Sequence, residues 1–190
     1  MKTFSKLLPW LALPLAVPGL LAREETLQPF PDHTLTVSVP DKYAYTAGRD
    51  ERGLLTVKII DPNLKTQLLV SFFPDPAARL AGEDGQRAFV ANTSQTFAEA
   101  SVEKSYDFKD LSPRTGSGMF CVFTDASLVH KAPFAPGEFL KVSTGVKVWP
   151  GCFLLFTLLS NDTTSDEYQA EMKLLRESFV EKPAAGPASI

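Results

Sequence analysis

Two histidines and two cysteines, His33, His130, Cys121 and Cys152, are the side chains of this chain suited to metal or nucleophilic chemistry. Their spacing assembles no site. A zinc hydrolase places two histidines one helical turn apart, as in HExxH, and structural zinc takes paired CxxC ligands. The sequence has neither pattern. Asp32 and His33 are adjacent, but an acid-oriented histidine needs a nucleophile brought to it. Both histidines read as solvated turn residues. There is no GxSxG elbow, phosphate-loop glycine pattern or dinucleotide fingerprint. The acid pairs Glu24-Glu25 and Asp166-Glu167 read as solvated charge or as helix-start acids that complement the macrodipole. The expectation is a protein with no catalytic, cofactor or metal residues.

Bulk properties narrow the remaining classes. The chain has 190 residues, 44% hydrophobic and 22% charged, with a formal net charge of −3. That is enough for one domain with a core. No two Lys or Arg residues are adjacent, so the clustered basic surface of a nucleic-acid binder is not expected. Residues 1–22 read as a secretory leader: Lys2 and Lys6 precede an apolar run over 7–21, with cleavage after Ala22 or Gly19. The alternative is a retained anchor, but Pro9, Pro14 and Pro18 interrupt the run, and it is short for a span. Cleavage takes the net charge from −3 to −5, because the leader holds two lysines and no acids. The mature protein is expected to be periplasmic or secreted, with no stable membrane span.

The elements are organised around residues 152–160, apolar on both alternating faces. Such a strand is expected at the centre of a sheet, covered on both sides. Further strands are predicted over 34–39, 54–60, 66–73, 104–111, 119–124 and 139–148. A helix is predicted over 86–101, with a stripe of Phe89, Thr93, Phe97 and Ala100. A second starts at a capping box of Thr164 and Glu167. Its stripe is Tyr168, Met172, Leu175 and Phe179. Residues 23–32 read as an extended lead-in, 41–53 as a turn-rich connection and 183–190 as a disordered tail. The fold class expected is α+β: a single domain over 23–182 with an antiparallel sheet of about six to seven strands and two main helices packed on it.

Two surfaces and one pair of thiols stand out. Phe139, Lys141, Lys147 and Trp149 share one face of their strand and have the composition of a partner surface, an aromatic anchor with flanking charge. The alternative, preferred here, is that a helix covers that face and Trp149 is core. The loop over 132–136 holds Phe134 as a further candidate contact. In a meander, the 139–148 strand separates Cys121 from Cys152 by two strand spacings, roughly 9–10 Å, beyond the ~7 Å a disulfide spans. Two buried thiols then fit better; a different strand order restores the bridge, which export favours. Asn92-Thr93-Ser94 and Asn161-Asp162-Thr163 match the glycosylation pattern.

The opening Thr34-Leu-Thr-Val-Ser-Val-Pro-Asp41, the mid-chain helix before a strand meander, the corner and apolar strand over 150–160 and the final helix ending in Glu177-Ser178-Phe179 resemble the PsbP-like and DcrB-like small exported α+β proteins. The resemblance implies a sheet with helices packed on it and a binding or accessory role. It offers no catalytic motif to carry over, and the lipid-attachment cysteine of many envelope members is missing here. The expected function is therefore that of an exported, non-enzymatic binding or accessory protein acting through a protein partner. The alternatives are an envelope immunity protein whose acidity suits a basic toxin, and a small-ligand carrier with a pocket lined by Phe89, Phe97, Phe153 and Phe156.

Overall fold

The computed structural model describes residues 22–131 and 133–181. The expected leader, apart from Ala22, and the expected tail lie outside the described residues. The elements run β1 (Ala22–Phe30), β2 (His33–Pro40), β3 (Ala44–Arg49), β4 (Leu55–Ile60), β5 (Thr66–Asp75), α1 (Glu83–Thr93), α2 (Gln95–Ala100), β6 (Lys109–Asp110), β7 (Ser117–Thr124), β8 (Lys141–Trp149), β9 (Gly151–Ser160), α3 (Asp166–Glu177) and β10 (Val180–Glu181). The fold is α+β. A seven-stranded antiparallel sheet has the order β3-β4-β5-β9-β8-β7-β6, and a second sheet has the order β1-β2-β10.

The apolar strand β9 is the middle strand of the large sheet. It follows β8 through Pro150-Gly151. Proline fixes the first turn residue near its required φ, and Gly151 adopts the φ of +81° that the second requires. Its even-numbered residues Cys152, Leu154, Phe156 and Leu158 point into the main core. There they meet Val57 and Ile59 of β4, Leu68, Val70 and Phe72 of β5, Leu35 and Val37 of β2, and Met172 and Leu175 of α3. This is the α3 face. On the opposite face Phe153 stacks on Phe73 at 5.2 Å and meets the edge of Phe89 at 5.0 Å. There α1 and α2 pack with Val90, Ala98, Met119, Cys121, Phe123, Val146 and Val148.

Several expectations change in detail. The single helix expected over 86–101 is broken at Ser94, whose hydroxyl donates to the Val90 carbonyl at 2.6 Å. Its inward residues are Gln86, Val90 and Ala98, while Thr93 and Ala100 are exposed. The strand expected over 104–111 shrinks to Lys109–Asp110. Lys104 takes a φ of +53°, and Tyr106 and Phe108 stack on one another at 5.8 Å. The lead-in and the turn-rich connection contain the strands β1 and β3. Arg49 joins them, donating to the backbone carbonyls of Gln28 at 2.6 Å and Gly53 at 2.7 Å. The last helix is capped one residue later than expected, by Ser165, whose Oγ accepts the Tyr168 N–H at 3.2 Å.

Candidate functional site

The α1 face of the large sheet is only half covered. Antiparallel register lines up its side chains in rows. One row runs Cys121, Thr144, Thr157, Leu69, Lys58 and Thr46; the next runs Met119, Val146, Leu155, Ser71, Thr56 and Gly48. A third runs Phe123, Val142, Leu159, Gln67, Ile60 and Ala44. On β7 and the β7 side of β8, the helices bury Met119, Cys121, Phe123 and Val146. From β9 outward, Leu155, Thr157, Leu159, Leu69, Ser71 and Ile60 are all half-exposed. The expectation that β9 is covered on both sides therefore holds on the α3 face; on the other it holds for Phe153, in part for Leu155, which packs against the α1-face core, and fails at Thr157 and Leu159. Strand spacing of ~4.8 Å and a same-face repeat of ~6.8 Å make this sector on the order of 300 Å². The surface is mixed: Leu155, Leu159, Leu69 and Ile60 are apolar, Thr157, Gln67, Ser71, Thr56 and Lys58 are polar, and all are half-buried, the composition of an ordinary contact surface. Lys58 is its charged residue among these rows. The sequence held a signal for it: Lys58, Gln67, Ser71 and Thr157 place polar groups on one side of otherwise apolar strands.

The expected partner patch divides. Lys147 is 0% exposed and Trp149 4%, so neither belongs to a surface. Both lie on the α3 face, as their shared parity with Phe139 and Lys141 requires. Lys147 Nζ donates to the backbone carbonyls of Leu175 at 3.1 Å and Ser178 at 2.7 Å and lies 5.0 Å from the Trp149 ring. It closes the C-terminal end of α3, where carbonyls lack helical partners and the dipole is negative. Burial pushes its ammonium down to about 8. Trp149 Nε1 donates to Thr115 Oγ1 at 3.3 Å. Phe134, Phe139 and Lys141 remain half-exposed. Lys141 donates to Thr124 Oγ1 at 2.6 Å.

Cys121 and Cys152 are not bridged. The strand order β9-β8-β7 places β8 between them, as the meander requires. Register adds a second separation, because Cys121 stands opposite Thr144, which stands opposite Thr157, five positions along β9 from Cys152. The two thiols also point into different cores. Burial pushes the Cys121 thiol up to about 11. Cys152 Sγ lies 3.6 Å from Nδ1 of His33, which is half-buried with its ring edge-on to Phe30 at 6.1 Å. His33 is thus not a solvated turn residue. Its contact spans 119 positions of sequence, which is why local pattern could not disclose it. His130 is exposed.

A cleft of about 470 Å³ opens at the end of the sheet beside Gln86, Arg87, Phe108, Lys109, Ser117 and Met119. Gln86 Nε2 donates to the Leu80 carbonyl at 2.9 Å and to Ser117 Oγ at 2.8 Å, tying α1 to β7. The four aromatics expected around one pocket are not brought together: Phe156 lies in the α3-face core, and Phe89, Phe97 and Phe153 pack on the other face. Among the described residues no cluster of three His, Cys, Asp or Glu side chains is arranged to hold a metal, and no helix is long and apolar enough to cross a membrane. Compared with protein-family models, characterised proteins and solved structures, the chain matches none.

Proposed function

We propose that this is an exported, non-enzymatic binding or accessory protein that acts through a protein partner docked on the open sector of the large sheet. The observation that carries the reading is the half-buried set of Ile60, Leu69 and Leu159, beyond the reach of α1 and α2, on a sheet whose opposite face is filled by core. Helices α1 and α2 cover the neighbouring part of the same face, so a partner element laid beside them would extend an existing layer. The leader-like residues 1–22 support export, and the resemblance to PsbP-like and DcrB-like proteins supports an accessory role.

The test is affinity capture from envelope and secreted fractions with the native chain, a Leu69→Arg/Leu159→Arg double variant and a Val102→Arg control. Val102 is 55% exposed and lies outside the sector. The reading expects one stoichiometric partner, lost with the double variant and kept with the control. A partner indifferent to the double variant would refute the docking face. The end-of-sheet cleft favours a second reading, a small-ligand carrier, and a thermal-shift screen showing saturable stabilisation that Ser117→Trp abolishes would establish it.

A further inference from the structure

Glu171 lies on the inner side of α3, 1% exposed. Its Oε1 accepts from Thr66 Oγ1 at 2.8 Å, and its Oε2 is sealed from solvent without a hydrogen-bond partner. Asp61, on the turn between β4 and β5, is 0% exposed. Its Oδ2 accepts the backbone N–H groups of Asn63 at 2.9 Å and Lys65 at 3.3 Å, and its Oδ1 is likewise sealed and unpartnered. Among the described residues these are the two buried side-chain oxygens left without a partner. Both are acceptors when ionised, and Thr66 links them: its hydroxyl donates to Glu171 Oε1 and its carbonyl accepts the Asp61 N–H at 3.3 Å. Two desolvated like charges are costly. One proton removes the difficulty, because a carboxylic acid donates where a carboxylate only accepts.

We propose that Glu171 is a proton-dependent latch for α3. Protonated, it donates to Asp61 Oδ1 and fastens the first half of the helix to the β4–β5 turn. When it loses that proton to solvent, two buried carboxylates oppose each other and that end of the helix loosens.

The surroundings reinforce the effect. The helix itself brings Glu167 and Asp166 to the rim, and Glu167 is held by Lys65 Nζ of the turn at 2.7 Å. The connection before β3 brings Lys42 and Tyr43. Burial and then the charges of Glu171, Asp61 and Glu167 hold the Tyr43 hydroxyl above its usual range. Strand β9 brings the uncharged Ser160 opposite Thr66. Burial pushes the Glu171 carboxyl from 4.5 up to about 8, opposed by the Thr66 hydrogen bond and helped by Asp61. A folded-state value raised above the unfolded one gives stability that is fully present below about 4.5 and lost as pH rises through about 8.

The experiment follows denaturant unfolding from pH 5 to 9 for the native chain, Glu171→Gln and Asp61→Asn, alongside an NMR titration of the Glu171 side-chain carboxyl carbon. The expected result is a native folding constant that falls by as much as ~1000-fold relative to Glu171→Gln across this window, since the Gln amide donates to Asp61 at every pH. Asp61→Asn should move the Glu171 titration to lower pH. Glu171 titrating near its unfolded value, or equal pH slopes for the native chain and Glu171→Gln, would overturn the latch. Stabilisation by Ca²⁺ or Mg²⁺ that Glu171→Gln abolishes would overturn it too, in favour of a cation site.

Discussion

Lys147 Nζ donates to the carbonyl of Ser178 at 2.7 Å, and through it a residue at the middle of the large sheet closes the end of the last helix. The bond spans 31 positions, and the ammonium also reaches the Leu175 carbonyl. Truncation to Ala would leave two helix-end carbonyls without this donor and open a cavity under Trp149. Lys147→Ala is expected to lower stability by about 3 kcal/mol, and Lys147→Met, which keeps most of the stem, by about half that. Urea unfolding at pH 7 checks both values.

The same lysine predicts an alkaline effect. Burial depresses its folded value to about 8 from 10.5. The unfolded chain therefore binds the proton more readily between these values, and the contribution of Lys147 to stability grows as pH rises through them. The stability difference between the native chain and Lys147→Met should widen by up to ~3 kcal/mol from pH 8 to 10.5. The helix-end carbonyls favour the charged form and moderate the rise. A difference that narrows over this range would contradict the assignment of burial as the dominant influence.

Gly145 is a packing requirement of β8. A Cβ built there would stand 2.5 Å from Phe120 Cβ and 2.2 Å from the Met119 carbonyl oxygen on β7. Neither can yield without moving a strand of the central sheet. Gly145→Ala should destabilise by about 2–3 kcal/mol, whereas Gly48→Ala on exposed β3, where nothing lies within 4 Å, should change stability little. Thermal unfolding of the two variants side by side makes the comparison.

What could be read from the chain depended on whether a signal was local. The strand at 152–160 announced itself as central because both its faces are apolar, and it is the fourth of seven strands. Tyr168, Met172 and Leu175 of the predicted stripe are buried on α3, and Phe179 is buried too, but past the helix end at a φ of +54°. Strand β3 escaped because five of its six residues are exposed, and β1 because the inward positions of its alternation are Arg23, Glu25, Leu27 and Pro29, which give no apolar stripe to read. The candidate site was less legible. The preferred reading of Trp149 as core beneath a helix holds; the full burial of the charged Lys147 was not legible, because the carbonyls that take its protons belong to α3 and its end, later in the chain. The open sector was hidden for the converse reason: an apolar strand reads as buried, and whether a helix covers a given half of the sheet depends on where distant elements dock.

The start of α3 distinguishes two adjacent hydroxyls. Ser165 Oγ accepts the Tyr168 N–H at 3.2 Å, whereas Thr164 Oγ1 donates to Asp162 Oδ1 at 2.7 Å in the preceding turn. Ser165→Ala should therefore cost about 1 kcal/mol, the usual effect of losing an N-cap. Thr164→Ala should cost a few tenths of that, because its side chain is exposed and caps no helical N–H. If Thr164→Ala proved the costlier change, the helix would begin one residue earlier than the structure places it.

The thiols give the final prediction. Cys121 and Cys152 lie on opposite faces of the sheet with β8 between them, so no local rearrangement joins them and reduction has nothing to cleave between them. Dithiothreitol should leave the unfolding midpoint unchanged, and the intact mass should be the same with and without reductant. Cys121, its thiol pushed up to about 11 by burial, should react with a thiol reagent only as fast as the protein opens, because the thiolate is the reactive species. Labelling rates measured against urea concentration would then track unfolding. Replacing Cys121 by Ala should cost about 1 kcal/mol through lost packing alone. A mass two units lower without reductant, or a midpoint that falls when reductant is added, would place a bridge where the sheet keeps the two sulfurs apart.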